Sequence, residues 1–77
     1  ELMAEVKGES IIHLGEIEVA KIITKQRASV CIRAAGNRCQ VWMNNRVYAD
    51  EIFDQALAPG KITSSNKNLR DIRIRKL

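Results

Sequence analysis

Apolar and polar residues alternate in several segments of this chain. A period of two is typical of β-strands that bury one face. The segments with this pattern are residues 16–24, 28–34, 39–43 and 69–77. Residues 10–14 are a short apolar run, and 46–48 and 61–63 are shorter strand candidates. Such a series of short strands predicts a mainly β fold, built as a small antiparallel meander or barrel.

Glycine and asparagine mark the turns between these strands. Gly15 separates the first two strands, and Gly36 lies in the clearest turn, Ala35-Gly36-Asn37-Arg38. Asn44-Asn45 has the length and composition of a two-residue hairpin loop. Lys25-Gln26-Arg27 is predicted to be a polar connection.

One short helix is predicted over residues 50–57. Asp50 can cap its first turn, and four apolar residues follow at helical spacing on one face. These four are Ile52, Phe53, Ala56 and Leu57. The segment Ala58-Pro59-Gly60 would then end the helix.

The pattern leaves one other layout open. Ile17, Ala20 and Lys21 also fit helical spacing, so residues 16–26 are compatible with a helix as well as a strand. If residues 16–26 and 40–57 were both helical, the order would be βαβαββ. That α+β order resembles the Alba-type chromatin and RNA-binding fold, whose last strand also ends in a basic tail.

The 77 residues are predicted to form one domain, 1–77, near the lower size limit for a single apolar core. Only three residues are aromatic, Trp42, Tyr48 and Phe53, so the core must consist mainly of Ile, Val, Leu and Ala. Short chains often complete their buried surface by association. We therefore expect a homodimer.

Charge is distributed unevenly along the chain. Residues 1–21 carry five Glu against two Lys, whereas residues 22–77 carry eleven Lys or Arg against four acidic residues. A net charge of −3 is thus followed by one of +7, and a polyanion such as RNA, or alternatively DNA, is the natural partner. No apolar run is long enough to span a membrane, and without a signal peptide we expect a cytoplasmic protein.

Catalytic chemistry has little support in the sequence. His13 is the single histidine and lies in an apolar run, and the glycines form no phosphate-binding loop. Cys31 and Cys39 also lie in apolar runs and are expected to be reduced core residues. The protein is predicted not to be an enzyme and to need no cofactor or metal.

The candidate nucleic-acid-binding residues are mostly arginines. Arg33, Arg38 and Arg46 flank the central strands, and Arg residues alternate with Ile72 and Ile74 in the last strand. The predicted site consists of Arg38, Arg46, Tyr48, Arg73, Arg75 and Lys76. Trp42 is a further candidate for stacking on bases, although it is more readily explained as a core residue.

Three segments resemble the carbon storage regulator family of small RNA-binding proteins. They are Gly8-Glu9-Ser10-Ile11-Ile12 through Gly15-Glu16-Ile17-Glu18-Val19, Ile32-Arg33-Ala34, and Val47-Tyr48-Ala49-Asp50-Glu51-Ile52-Phe53. The resemblance covers about residues 8–55 and requires an insertion near 36–45. It implies an intertwined homodimeric meander that binds GGA-containing loops in mRNA leaders. Where that family places its RNA contacts, this chain has Glu5 and Ala49.

The predicted function is therefore that of a dimeric, basic, RNA-binding regulator. The alternative is a protein-interaction or assembly module, such as a secretion-machine subunit or a phage-type inhibitor. In that case the terminal strand, 69–77, would pair with a partner's sheet.

Overall fold

A computed structural model describes residues 4–58 and 62–66 in full and the backbone of residues 74–76. Its strands are β1 (Ala4–Leu14), β2 (Ile17–Ala35), β3 (Arg38–Met43), β4 (Arg46–Ile52), β5 (Ile62–Ser64) and β6 (Ile74–Lys76). They form one sheet in the order β4-β3-β2-β1-β5, and β6 pairs with β2. The first five strands pair in an antiparallel manner, and β6 runs parallel to β2. The mainly β prediction is confirmed.

The turns lie where glycine and asparagine predict them. Gly15 and Gly36 have φ angles of 63° and 58°, and Asn44 and Asn45 have φ angles of 51° and 63°. Two consecutive residues at positive φ are the signature of the tight hairpin turn that matches the twist of the paired strands. The β1–β2, β2–β3 and β3–β4 connections are therefore short, and β1 to β4 form a meander.

β2 is a single long strand with a corner in its middle. Thr24 pairs with Gly8 and Ala28 pairs with Val6, so the three residues 25–27 face Lys7 alone. The hydroxyl of Thr24 donates to the carbonyl of Gln26 at 2.8 Å and accepts from its amide at 3.2 Å. The predicted polar connection is thus a bulge of three residues opposite one, and bulges bend a strand.

The sheet curls back on itself beyond this corner. The second half of β2 pairs with β3, and β3 pairs with β4. Tyr48 of β4 nevertheless donates a hydrogen bond of 2.8 Å from its hydroxyl to the carbonyl of Lys21, in the first half of β2. Strands two places apart in the sheet order are therefore joined by a side chain.

The core lies on the inner face of the curled sheet and is aliphatic. Val30 and Ile32 of β2 are fully buried, as is Val41 of β3. The alternate residues Gln40 and Trp42 point to the outer face and are half-buried. Both cysteines are free and buried, as predicted from their apolar surroundings.

The helix predicted over residues 50–57 is not formed. Residues 50–52 belong to β4, and the following segment crosses the β2–β3 turn. There the Phe53 amide donates to the Asn37 carbonyl at 2.8 Å, and the Leu57 amide donates to the Gly36 carbonyl at 2.9 Å. Leu57 is buried at this end of the core. The backbone amides are thus bonded to a distant turn instead of to a helical ladder.

The α+β alternative is also wrong. It requires helices over residues 16–26 and 40–57, but the first half of β2 covers 17–26, and most of β3 and all of β4 lie within 40–57. The predicted last strand is described at residues 74–76 only, and the predicted strand at 61–63 corresponds to β5, 62–64. Pro59, Gly60 and the rest of 69–77 lie outside the described residues.

Candidate nucleic-acid interface

An arginine lies over the only tryptophan on the outer face of the β2–β3 hairpin. The register pairs Cys31 with Trp42 and Arg33 with Gln40, which makes Arg33 and Trp42 diagonal neighbours on one face. The Arg33 guanidinium carbon is 4.7 Å from the centroid of the Trp42 ring. At this separation the cation is attracted to the face of the ring. Trp42 is thus a half-buried outer-face residue and not a core residue.

A chain of hydrogen bonds extends from Trp42 across the hairpin of β3 and β4. The indole Nε1 of Trp42 donates to Oε1 of Gln40 at 3.1 Å, and Nε2 of Gln40 donates to Oδ2 of Asp50 at 3.0 Å. Arg38 donates to both carboxylate oxygens of Asp50, from Nε at 3.0 Å and from a terminal nitrogen at 2.7 Å. The side chains on this face are therefore held in a defined arrangement.

The charges of this network alter its titration. Hydrogen bonds from Arg38 and then from Gln40 lower the pKa of Asp50 to about 2. The same hydrogen bond, with the attraction of the Asp50 charge, raises the pKa of Arg38. On the opposite face, burial, and to a smaller extent the negative charge of Asp50, raises the pKa of Cys39 to about 11. Asp50 and Arg38 thus remain an ion pair throughout the neutral range.

Arg38 consequently differs from the other predicted contacts. Its charge is balanced by Asp50 through a bidentate pair, although about half of its side chain is exposed. A phosphate at this site would have to compete with a carboxylate that is already bound. Its structural role is therefore to hold β3 and β4 together.

Arg46 and Tyr48 lie together at the other end of the same hairpin. Both line an open recess of about 410 Å³, together with Met43, Asn44 and Val47. Arg46 pairs with Met43 in the β3–β4 register, whereas Arg38 is five residues away along β3. That separation is about 17 Å in a strand. The structure thus brings two of the predicted residues together and places Arg38 apart from them.

The three remaining predicted residues belong to the terminal segment. Arg73 lies outside the described residues. Arg75 and Lys76 are described by their backbone, which pairs with Arg33 and Ala34 of β2. The end of the chain therefore runs directly beside the strand that carries Arg33.

Charge within the described side chains sums to zero. Residues 4–58 contain seven Lys or Arg and seven Asp or Glu, and residues 62–66 contain neither. Residues 61–76 contain six Lys or Arg and one acidic residue, Asp71, which gives this segment a net charge of +5. The sequence assigned the excess to the whole second half of the chain, but it is concentrated in this terminal segment.

Comparison of the chain with protein-family models, with curated proteins and with solved structures found no match. The resemblance to carbon storage regulators therefore stays a prediction from the quoted motifs. The residues 4–58, 62–66 and 74–76 contain no helix of the length and hydropathy needed to cross a membrane.

The contact between Arg33 and Trp42 was not part of the predicted site. It could have been derived from the turn, because a hairpin that closes at Gly36 and Asn37 pairs residues whose numbers sum to 73. This register places Arg33 opposite Gln40 and makes it a diagonal neighbour of Trp42. The signal was present in the spacing but required the exact turn residues.

Proposed function

We propose that this is a small RNA-binding protein that recognises single-stranded segments on the outer face of β2 and β3. The observation that carries the proposal is the stack of Arg33 on Trp42, 4.7 Å apart, beside the backbone of β6. Arg33 and Trp42 would contact bases, and the basic terminal segment would contact phosphates.

The stack has the chemistry that unpaired bases need. Aromatic rings and arginine planes both provide surfaces on which bases stack, and each stacked base contributes about 1–3 kcal/mol. Trp42 is oriented by its bond to Gln40, and Gln40 is in turn bonded to Asp50. A base would therefore meet an Arg33–Trp42 pair whose arrangement is already set. This reduces the entropy lost on binding.

Electrostatics favours the same face. The terminal segment has a net charge of +5, and β6 lies next to Arg33 in the sheet. A positive groove that follows the backbone, combined with stacking side chains, is the usual basis of single-strand binding. The two kinds of contact would thus come from neighbouring strands.

Fluorescence anisotropy with three labelled probes tests the proposal. The probes are a single-stranded RNA, a single-stranded DNA of the same sequence and the corresponding RNA duplex, each measured over a salt series. We expect the tightest binding to the single-stranded RNA, with a logarithm of the affinity that falls linearly with the logarithm of salt concentration. Absence of binding at low salt, or binding independent of salt, would falsify the proposal.

A second candidate is the protein-interaction module that pairs through the terminal strand. It is favoured by the position of β6, which pairs with β2 on one edge and has no second strand neighbour among the described residues. An extended partner could add to that edge. Substituting Ile74 by Pro and testing both activities separates the candidates, because proline removes a ladder donor but leaves the net charge unchanged. Loss of protein capture with unchanged RNA affinity would favour this second function.

A further inference from the structure

β4 is an edge strand that combines a bulge and charged residues with exposed apolar side chains. It pairs with β3 on one side and has no strand partner on the other among the described residues. Three of its apolar side chains are exposed: Val47 by 48%, Tyr48 by 43% and Ile52 by 72%. Natural edge strands commonly avoid such exposed apolar residues, since unpaired backbone and apolar side chains together invite another strand.

The bulge in β4 determines which of its residues share a face. Val41 pairs with Ala49 and Trp42 pairs with Val47, which leaves Tyr48 as the extra residue. Arg46 pairs with Met43 and Glu51 pairs with Cys39, so Arg46 and Glu51 lie on the same face. In a strand without a bulge, two residues five positions apart would lie on different faces. Val47 and Asp50 lie together on the other face.

This arrangement makes the edge complementary to itself. In an antiparallel pair of two β4 strands whose residue numbers sum to 97, Arg46 of each copy faces Glu51 of the other, and Val47 faces Asp50. Directly opposed residues then lie on the same face, as an antiparallel ladder requires. Neither Arg46 nor Glu51 forms an ion pair within the described part of the chain. In an isologous interface, residue i of one copy contacts residue j of the other, and j contacts i in turn. Arg46 and Glu51 meet this condition, because they lie at equal distances on either side of the two-fold axis and have opposite charges.

We propose that the open edge of β4 binds the β4 edge of a second copy of this chain in an antiparallel manner. The two-fold axis passes between the Tyr48–Ala49 pairs, and two Arg46–Glu51 ion pairs close the ends of the shared ladder. The Tyr48 hydroxyl, bonded to the Lys21 carbonyl, holds β4 in position before the second copy binds. The inference does not rest on RNA binding, because the Arg33–Trp42 stack lies on β2 and β3.

Charge reversal tests the register in the full-length chain. We expect the wild-type protein to be a dimer by sedimentation velocity. Arg46→Glu and Glu51→Arg, each alone, place like charges opposite each other and are expected to weaken the dimer about tenfold. The double variant R46E/E51R reverses both charges, restores the opposite pairs and is expected to recover the wild-type dimerisation constant.

Circular dichroism of each variant establishes that it is folded, and Lys25→Glu is the matched control. Lys25 is exposed in the β2 corner, so its reversal is expected to leave the dimer unchanged. A wild-type chain that stays monomeric at all concentrations overturns the proposal. So does a folded double variant that is as weakly associated as the single variants.

Discussion

Arg38 binds both carboxylate oxygens of Asp50 across the β3–β4 hairpin, at 3.0 and 2.7 Å. The two residues are diagonal neighbours, since Asp50 pairs with Gln40 and Arg38 pairs with Ile52. This ion pair connects the ladder of β3 and β4 to the hydrogen-bond chain that orients Trp42. It therefore links the stability of an edge strand to the arrangement of the proposed RNA-binding surface.

The ion pair predicts a specific loss of stability in acid. The pKa of Asp50 is about 2 in the folded chain, whereas an unperturbed Asp has a pKa of about 3.9. Because the folded value is the lower one, the pair stabilises the fold above about pH 4, and this contribution is lost as the pH falls towards 2. We expect Asp50→Asn to flatten the dependence of the unfolding midpoint on pH between 5 and 2 (thermal unfolding by circular dichroism).

Asp54→Asn is the matched control for that measurement. Asp54 is also exposed but forms no ion pair in the described part of the chain. An identical acid profile for Asp50→Asn and the wild type would show that the Arg38–Asp50 pair contributes nothing to stability.

The corner of β2 depends on a glycine in the strand opposite. Gly8 has a φ of 97°, and a Cβ there would contact no other atom, so backbone strain alone sets the cost of a side chain. Gly8→Ala is expected to lower the free energy of unfolding by about 1–2 kcal/mol. Urea denaturation measures this, with Gly36→Asn as the control, because asparagine tolerates the φ of 58° at that turn. Equal stabilities of the two variants would contradict the assignment of strain to Gly8.

Stacking on Trp42 can be separated from charge. Trp42→Leu keeps an apolar side chain of moderate size but removes the ring, and we expect it to weaken single-stranded RNA binding about tenfold. Trp42→Phe retains a ring and is expected to retain most of the affinity. Anisotropy titrations at one salt concentration compare them. If both variants bound like the wild type, Trp42 would have no part in recognition.

The terminal segment is expected to supply the salt dependence. Replacing Arg73, Arg75 and Lys76 by Gln is predicted to reduce the slope of log affinity against log salt by about 0.7 for each lost phosphate contact, so by about 2 in total. The control variant replaces Lys7, Lys25 and Arg27, which are exposed in or opposite the β2 corner. It has the same net charge but should keep most of the slope. A similar loss of slope in both variants would indicate non-specific attraction by net charge alone.

The cysteines provide a probe of the folded state. Cys39 has its pKa raised to about 11, mainly by burial, and Cys31 is buried as well. The reactive form of cysteine is the thiolate, so neither thiol should react readily with Ellman's reagent at pH 8 in the folded protein. Both should react at once in guanidinium chloride. Rapid modification of Cys39 in the native chain would contradict the burial of the β3 inner face, and rapid modification of Cys31 would contradict its burial beside Trp42 on the outer face of β2.

Most strands could be predicted because their signals are local. The alternation of Val30 and Ile32 with polar neighbours, and the turn residues Gly36 and Asn44, define β2 and β3 without reference to the rest of the chain. The error at residues 50–57 has a non-local cause. Phe53 and Leu57 do have helical spacing, but their amides bond to the β2–β3 turn.

The candidate site was predictable only in part, for the same reason. Arg46 and Tyr48 lie two positions apart on one strand and share a recess. Arg38 looked equivalent in the sequence, but its partner Asp50 is twelve residues away and is brought close by the β3–β4 register. Which arginine is neutralised depends on how the strands pair, and this pairing cannot be deduced from the residue pattern of a single strand.

The three residues that bulge at the β2 corner, 25–27, also bear on how this chain could change in evolution or by engineering. They face Lys7 alone, so extra residues inserted there would lengthen an exposed loop and leave the pairing of both β2 halves in place. A single residue inserted within 28–35 would shift every following residue by one position and turn the core side chains towards water. The corner is therefore the natural place to insert a tag, a fluorophore attachment site or a foreign peptide, because a change in its length does not alter the register of the sheet.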